Sequence, residues 1–327
     1  LYVVWYTWDT KISTNEDSDI VIKCFDGISW SNTVEVSLSN DTGDDFAPQI
    51  CTYNDKLYIV WQTLDDTISD GTDMDIVIRC YDSKVGDINN TTAWSDITEL
   101  TPKDYSISGD DDRNPQLCSY NNKLYVVWET TNNLITVGDD RDIVLRCYDG
   151  AWGAVQEVTL PEDSYDDMYP YLCVHQNKLW VAWQTQNDST GDIDEDILIR
   201  GYNPLSDVWG DVIEISQTED NTNESYTEDK YPIMTIYKSK LYVLWQKKEF
   251  PKNGVSQDGD LVMKSYDGIS WSDVVAVTSG NNAEDGSRLT GQGVDFTVYS
   301  NKLYIIWQSQ VDRKSADSDI FIRCYDE

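Results

Sequence analysis

The chain lacks most of the residues on which enzyme chemistry commonly rests. Among 327 residues there is one histidine, His175, so a Ser-His-Asp triad or a multi-histidine zinc site would depend on that single side chain. Positive charge is scarce too: 24 Lys and Arg face 59 Asp and Glu, a formal net charge of −35. That balance excludes nucleic acid as a partner and disfavours an anionic membrane surface, leaving cations, basic surfaces or neutral polymers such as glycans. No stretch approaches the roughly 18 apolar residues of a membrane span, so no direct membrane insertion is expected. No signal-like leader opens the chain. It begins at Leu1 in what reads as mid-strand, the mark of a piece processed or trimmed from something longer.

Helix signals are missing as well. The chain has five Phe and four Met against 13 Trp and 21 Tyr, with abundant Val, Ile, Thr, Asn and Asp, a mixture that favours strands and turns. There is no CxxC. The seven cysteines fall on two recurring positions, Cys24, Cys80, Cys147 and Cys324 on one and Cys51, Cys118 and Cys173 on the other. Both lie inside apolar strands and are read as buried free thiols, with disulfides within or between repeats as the open alternative.

What is present is repetition. The string "LYVVW" returns as "KLYIVW", "KLYVVW", "KLWVAW", "KLYVLW" and "KLYIIW", ending at Trp5, Trp61, Trp128, Trp183, Trp245 and Trp307. A period near 60 residues containing four short strands is the pattern of a propeller blade. The strands are one after a proline ("PQICTY"), the "KLYIVW" strand near 1–6, 56–62, 123–129, 178–184, 240–246 and 302–308, the "DIVIRCY" strand, and one after a tryptophan ("WSDITEL"). Polar turns such as "NDK" and "NNK" suit tight hairpins, and continuously apolar second strands suit sheets covered on both faces. The expected fold is all-β, a single β-propeller over 1–327 with four-stranded antiparallel blades. Six blades are counted, with part of a seven-bladed propeller as the alternative. The first blade lacks its first strand and the last its fourth, so flanking domains or neighbouring chains are expected to supply the missing edge strands.

Two turns carry a family resemblance. Ser265, Asp267, Gly268 and Trp271 in "SYDGISW", and Asp26, Gly27 and Trp30 in "CFDGISW", resemble the Ser/Thr-x-Asp-x-Gly-x-x-Trp box of sialidase-type propellers (BNR or Asp-box repeats), with one residue fewer. Other copies drift, as in "YDGAWG" and "YNPLSDVWG". The box implies an architectural role, in which Asp and Gly close the turn and Trp plugs the space between sheets. The resemblance also implies that first-strand entry loops and second-to-third loops share one face, usually the functional one. Those loops are acidic, with Asp44, Asp45, Asp111, Asp112, Asp166, Asp167 and Asp229 in the entry set. Lys56, Lys123, Lys178, Lys240 and Lys302 fall on the other face.

Each second-to-third loop ends in Asp-x-Asp: Asp17 and Asp19, Asp73 and Asp75, Asp140 and Asp142, Asp194 and Asp196, Asp258 and Asp260, Asp317 and Asp319. Carboxylates two residues apart on a strand point to one side, which makes these pairs candidate oxygen ligands for calcium (Ca2+). The alternative is that they only hold loops. The basic residue of each third strand (Lys23, Arg79, Arg146, Arg200, Lys264, Arg323) is read as structural, paired with an acid or stacked on a Trp. A sialidase needs three converging arginines, a Tyr-Glu nucleophile pair and a Phe/Tyr-Arg-Ile-Pro motif; "DRNP" at 112–115 shares only an arginine near a proline. Sequons at Asn40, Asn89, Asn90, Asn187 and Asn223 suit an exported surface. The resulting expectation is a non-enzymatic extracellular or cell-surface propeller that binds a glycan or protein ligand through an acidic, calcium-loaded face. A sialidase-type glycoside hydrolase, and a repeat unit of a surface layer or filament, are the alternatives.

Overall fold

The computed structural model describes residues 1–12, 17–38, 43–65, 67–68, 73–101, 111–133, 135–136, 138, 140–161, 164–187, 194–216, 225–251, 259–278, 293–309 and 319–326. Where the sequence reading treats 1–327 as one domain, the chain groups into two compact units, Leu1–Ser164 and Tyr165–Glu327.

The first unit holds three sheets. One contains β1 (Tyr2–Thr7), β2 (Asp19–Cys24) and β3 (Val34–Glu35). The next contains β4 (Asp45–Tyr53), β5 (Lys56–Thr63), β6 (Asp75–Tyr81) and β7 (Thr98–Glu99). The third contains β8 (Asp112–Tyr120), β9 (Lys123–Thr130), β10 (Asp142–Tyr148) and β11 (Gln156–Glu157). The second unit repeats the plan with β12 (Asp166–His175), β13 (Lys178–Asn187), β14 (Asp194–Asn203) and β15 (Val208–Glu214), then β16 (Ser225–Tyr237), β17 (Lys240–Pro251), β18 (Asp260–Tyr266) and β19 (Val275–Ala276), and last β20 (Val294–Tyr299), β21 (Lys302–Ser309) and β22 (Asp319–Tyr325). Strands pair antiparallel in sequence order within each set, which is the blade plan the repeat predicts. Among the described residues the first sheet has no strand ahead of β1 and the last none after β22.

Local chemistry explains the blade. In each first-to-second turn both central residues have positive φ, as at Asn54 (48°) and Asp55 (58°) or Asn121 (49°) and Asn122 (58°). That is the backbone of a two-residue hairpin turn whose twist matches its strands. The second strands are buried on both faces, and Trp61, Trp128, Trp183 and Trp245 are among the largest fully buried side chains. Trp61, Trp128 and Trp245 pack with aliphatic residues of the adjoining sheet, so these cores lie between consecutive sheets of a unit.

A buried indole N–H needs an acceptor, and each of these four tryptophans has the same one. Trp61 Nε1 donates to Asp45 at 2.9 Å, Trp128 to Asp112 at 2.6 Å, Trp183 to Asp167 at 2.9 Å and Trp245 to Asp229 at 2.5 Å. The acceptor lies in the first strand sixteen residues upstream each time, at the first residue of β4 and β8 and further in for β12 and β16. Immediately afterwards the first strand bulges. The pairing register shifts across Ala47-Pro48, Asn114-Pro115, Tyr169-Pro170 and Tyr231-Pro232, where proline has no N–H to lose. The residue before each proline sits in the left-handed region, with φ of 51°, 53°, 54° and 57°. Asparagine tolerates that conformation; a tyrosine held there costs about 1–3 kcal/mol.

Sheets of one unit are also tied by the third-strand base. Arg79 donates to the carbonyl of Val36, Arg146 to Leu100, Lys264 to Ile215 and Arg323 to Val277, each on the fourth-strand segment of the preceding sheet. Arg79, Arg146 and Arg200 also lie over Trp94, Trp152 and Trp209. The structural reading of this position thus gains a specific partner, a carbonyl one sheet away. All seven cysteines are free, but six are half-buried and Cys324 is exposed. The expectation of buried thiols is corrected, because both positions lie near the hairpin ends of their strands, where the packing thins.

Burial holds several carboxyls above their ordinary range, Asp45, Asp229 and Glu35 furthest. Asp45, 1% exposed, is pushed up to about 8 by desolvation, against the opposing hydrogen bonds of Thr63, Ser37 and Trp61. Asp229 rises to about 7 for the same reason, and Glu35 to about 7 through burial and the nearby Asp19 and Asp17. Unfolded, such groups titrate near pH ~4. The folded state therefore holds more protons between about pH 4 and pH 8, and stability falls as pH rises through that window. Chemical denaturation at pH 5, 6, 7 and 8 is expected to show this decline, and Asp45→Asn, which keeps an acceptor for Trp61, is expected to flatten it. In contrast, Asp112→Ala leaves the Trp128 indole unpaired and is expected to cost about 1–3 kcal/mol at any pH in that range.

Candidate functional site

Each described residue of the Asp-x-Asp pairs lies at or beside the start of its own third strand. Their second members hold that end to the fourth strand. The Ser37 hydroxyl donates to Asp19 at 3.0 Å, Thr101 to Asp75 at 2.7 Å, Thr159 to Asp142 at 2.8 Å, Ser216 to Asp196 at 2.9 Å and Thr278 to Asp260 at 3.1 Å. In three sheets the same hydroxyl accepts a third-strand N–H, from Ile20, Ile197 and Leu261. Of the first members, Asp17 is buried, and Asp73 and Asp140 are half-buried. Asp194 opens β14, while Asp258 and Asp317 lie outside the described residues. Asp319 is exposed at the start of β22. Among the described residues no three His, Cys, Asp or Glu side chains are grouped to hold a metal ion.

The two box turns are near-identical. Asp26 Oδ1 accepts the N–H groups of Ile28 and Ser29, and Asp267 Oδ1 those of Ile269 and Ser270, all at 2.8–2.9 Å. Gly27 and Gly268 share φ +103°, which only glycine adopts easily. These bonds hold both carboxyls below their usual range. Ser265 lies in β18, its N–H bonded to the Ser272 hydroxyl. Trp271 packs on Tyr266 at the edge of a core. Trp30, expected as an inter-sheet plug, is 48% exposed and touches Phe25 instead. His175 binds the carbonyl of Ser239 through Nε2 at 2.9 Å, the place that Tyr53 and Tyr237 hydroxyls take on the carbonyls of Asn122 and Asn301. The lone histidine is therefore a strut.

Departures from the repeat mark the chemically richer places. The residue after each second-strand tryptophan is Tyr6, Gln62, Glu129, Gln184, Gln246 or Gln308, and the residue inside each Asp-x-Asp is Ser18, Met74, Arg141, Glu195, Gly259 or Ser318. In the first unit Glu129, 1% exposed, faces Arg141 at 3.5 Å. Its register partner Arg113 is paired with Asp111 at 2.5 Å. At the equivalent place between the first two sheets stand Tyr6, Trp8 and Phe46, in mutual edge contact.

In the second unit the departures meet. Gln184 Nε2 donates to Glu195 Oε1 at 2.9 Å while its Oε1 accepts the N–H of Tyr231 at 3.3 Å. Lys230 Nζ lies 2.5 Å from Glu195 and 3.0 Å from Glu228. Glu195 and Glu228 are also register partners in a parallel pairing of β14 with β16, which joins two four-stranded sets into one sheet. Burial raises the Glu195 carboxyl, partly offset by Lys230. Burial alone would lower Lys230, but the two carboxylates outweigh it and keep its ammonium charged. The result is two carboxyl groups astride one cation, one of them only 5% exposed and raised by that burial. This pairing suits general acid–base chemistry. The sequence reading did not single out this group, although aligning the six repeats by their tryptophans would have exposed both positions.

No protein-family model matches the chain, and no curated protein matches it. Solved structures do. Polysaccharide lyase Uly1 aligns with TM-score 0.53 at 11% identity, covering 94% of this chain and 69% of that one. A thermostable family-43 glycoside hydrolase aligns with TM-score 0.46 at 14% identity (87% and 91%), and a GH43 endo-arabinanase from Bacillus licheniformis with 0.43 at 14% (85% and 92%). With the blades described above, the likeness to Uly1 shows a β-propeller fold. The non-enzymatic expectation is corrected: the neighbour that shares this fold, Uly1, is a polysaccharide lyase, so the fold is one that also serves catalysis. Its physical premise, evenness of the repeats, also fails at Glu129, Arg113, Glu195 and Lys230. The strand clip carries its own expectation. Thr101→Val strips the hydroxyl from buried Asp75 and should lower stability by about 1–3 kcal/mol in thermal unfolding, whereas Thr101→Ser should largely retain it.

Proposed function

We propose that this chain is a glycan-cleaving propeller enzyme that hydrolyses glycosidic bonds, with its acid–base chemistry at Glu195 and Glu228. The observation that carries the reading is the Glu195–Lys230–Glu228 group, two carboxyls on neighbouring sheets held around one ammonium. Glu195, raised by burial, donates its proton to the glycosidic oxygen as the bond to the leaving sugar breaks. Glu228, more open to solvent, takes a proton from the attacking water. Lys230 keeps the pair from gathering uncompensated negative charge. That solved propellers of similar fold are named as a polysaccharide lyase and glycoside hydrolases is in keeping with this.

The box turns at Asp26–Trp30 and Asp267–Trp271 support kinship with Asp-box propellers, and an exported location fits a polysaccharide substrate. No helix among the described residues is long and apolar enough to cross a membrane.

The test is incubation with a panel of plant, microbial and animal polysaccharides, following both new reducing ends and unsaturated products. Hydrolysis with water incorporated at the new reducing end is expected, and Glu195→Gln should lower kcat by about 10²–10⁴-fold with an unchanged melting curve. Unsaturated products would overturn the hydrolytic roles, and no cleavage across the panel would overturn the reading.

A further inference from the structure

Position for position, the bulge before each first-strand proline holds Ala47, Asn114, Tyr169 and Tyr231. Alanine and asparagine at two of these places show that the blade needs no aromatic ring there. In the second unit both copies are tyrosine, in a backbone region that bulky residues avoid, at φ 54° and 57°. Their rings meet, with centroids 4.7 Å apart and planes inclined at 70°. In such a T-shaped pair the edge of one ring meets the face of the other. Neither side chain is fully buried.

The pair is joined to the carboxyl group already described. Tyr231 follows Lys230 in the chain, and its N–H bonds to the Gln184 side chain that also grips Glu195. Acids outnumber bases around it: Glu195, Glu228, Asp196 and Asp229 stand beside Lys230 and Lys247. An aromatic face beside hydrogen-bond acceptors fits a sugar ring, whose C–H face lies on the arene while its hydroxyls donate to carboxylates. The chain's formal net charge of −35 disfavours uronate or sulfate groups.

We propose that Tyr169 and Tyr231 form a stacking platform for a sugar ring of a neutral polysaccharide, next to Glu195, Lys230 and Glu228. The inference rests on the glycan-cleaving reading and narrows it to a substrate class. The tyrosines are positioned by bulges that would be more relaxed with asparagine, so the platform is kept at the expense of backbone comfort.

Affinity gel electrophoresis of the full chain tests this, with xylan, arabinan, galactan, mannan or glucan in one set of gels and polygalacturonate or alginate in another. The wild type is expected to be retarded by at least one neutral polymer and by neither polyuronate. Tyr169→Ala and Tyr231→Asn should each weaken retention about tenfold, Tyr231→Phe should preserve it, and Tyr231→Asn should melt no lower than wild type. Retention unchanged in the tyrosine variants, retardation only by polyuronates, no retardation at all, or a large drop in the melting temperature of Tyr231→Asn would each overturn the platform. Tyrosine-dependent retention without cleavage would sink the hydrolase reading and leave the platform standing. Cleavage lost in Glu195→Gln with retention intact in both tyrosine variants would do the reverse.

Discussion

A tryptophan enclosed between two β-sheets has no water for its indole N–H, and this chain answers with a carboxylate placed sixteen residues upstream. The bond from Trp61 to Asp45 recurs at Trp128, Trp183 and Trp245. Much else depends on it. The aspartate pins the first strand just ahead of its bulge and left-handed residue, and the next proline ends the irregularity. The arrangement also makes the fold sensitive to protons, because a carboxyl desolvated to satisfy an indole resists ionisation. Trp307 marks the boundary of the pattern: sixteen residues before it stands Gly291, and its indole N–H has no hydrogen-bond partner among the described residues.

The acidity of the chain therefore has several origins that sequence alone merges. One set of aspartates accepts indole N–H groups, another accepts Ser or Thr hydroxyls at strand ends, and a third closes box turns through main-chain N–H groups. Each set is satisfied locally: among the described residues the indole bond occurs in four blades, the hydroxyl bond in five and the box turn in two. This repetition is what makes the Asp-x-Asp pairs read as ligand sets, and in five blades the second aspartate accepts a Ser or Thr hydroxyl from beside the fourth strand.

Function gathers where the repeat relaxes its rules. Five copies have Gln or Tyr after the tryptophan and one has Glu129; one copy places Glu195 where others have Ser, Met, Arg or Gly. Such changes are small in sequence and large in space, because they fall at strand ends where adjacent sheets of a unit face each other. Glu195 and Lys230 are 35 residues apart in the chain and 2.5 Å apart in the fold. The tryptophan-anchored repeat, the hairpin turns and the strand order were all legible from periodicity and turn chemistry, since these depend on neighbours within one repeat. The carboxyl–lysine group and the tyrosine pair were not, since each combines residues from different repeats.

What the amino-acid order determined by itself is the blade: apolar second strands, two-residue turns, a proline after each acidic entrance, and one tryptophan per repeat to be buried. Those choices are local, and backbone propensity and hydrophobic pattern suffice to set them. Tertiary structure alone decided the partners of the polar groups. It assigned Asp45 to Trp61, the third-strand bases to carbonyls one sheet away, His175 to a hairpin carbonyl, and Lys230 to two glutamates. A hydrogen bond or an ion pair depends on distances of a few ångströms between side chains that the sequence separates by tens of residues, and only the packing of one sheet against the next fixes them.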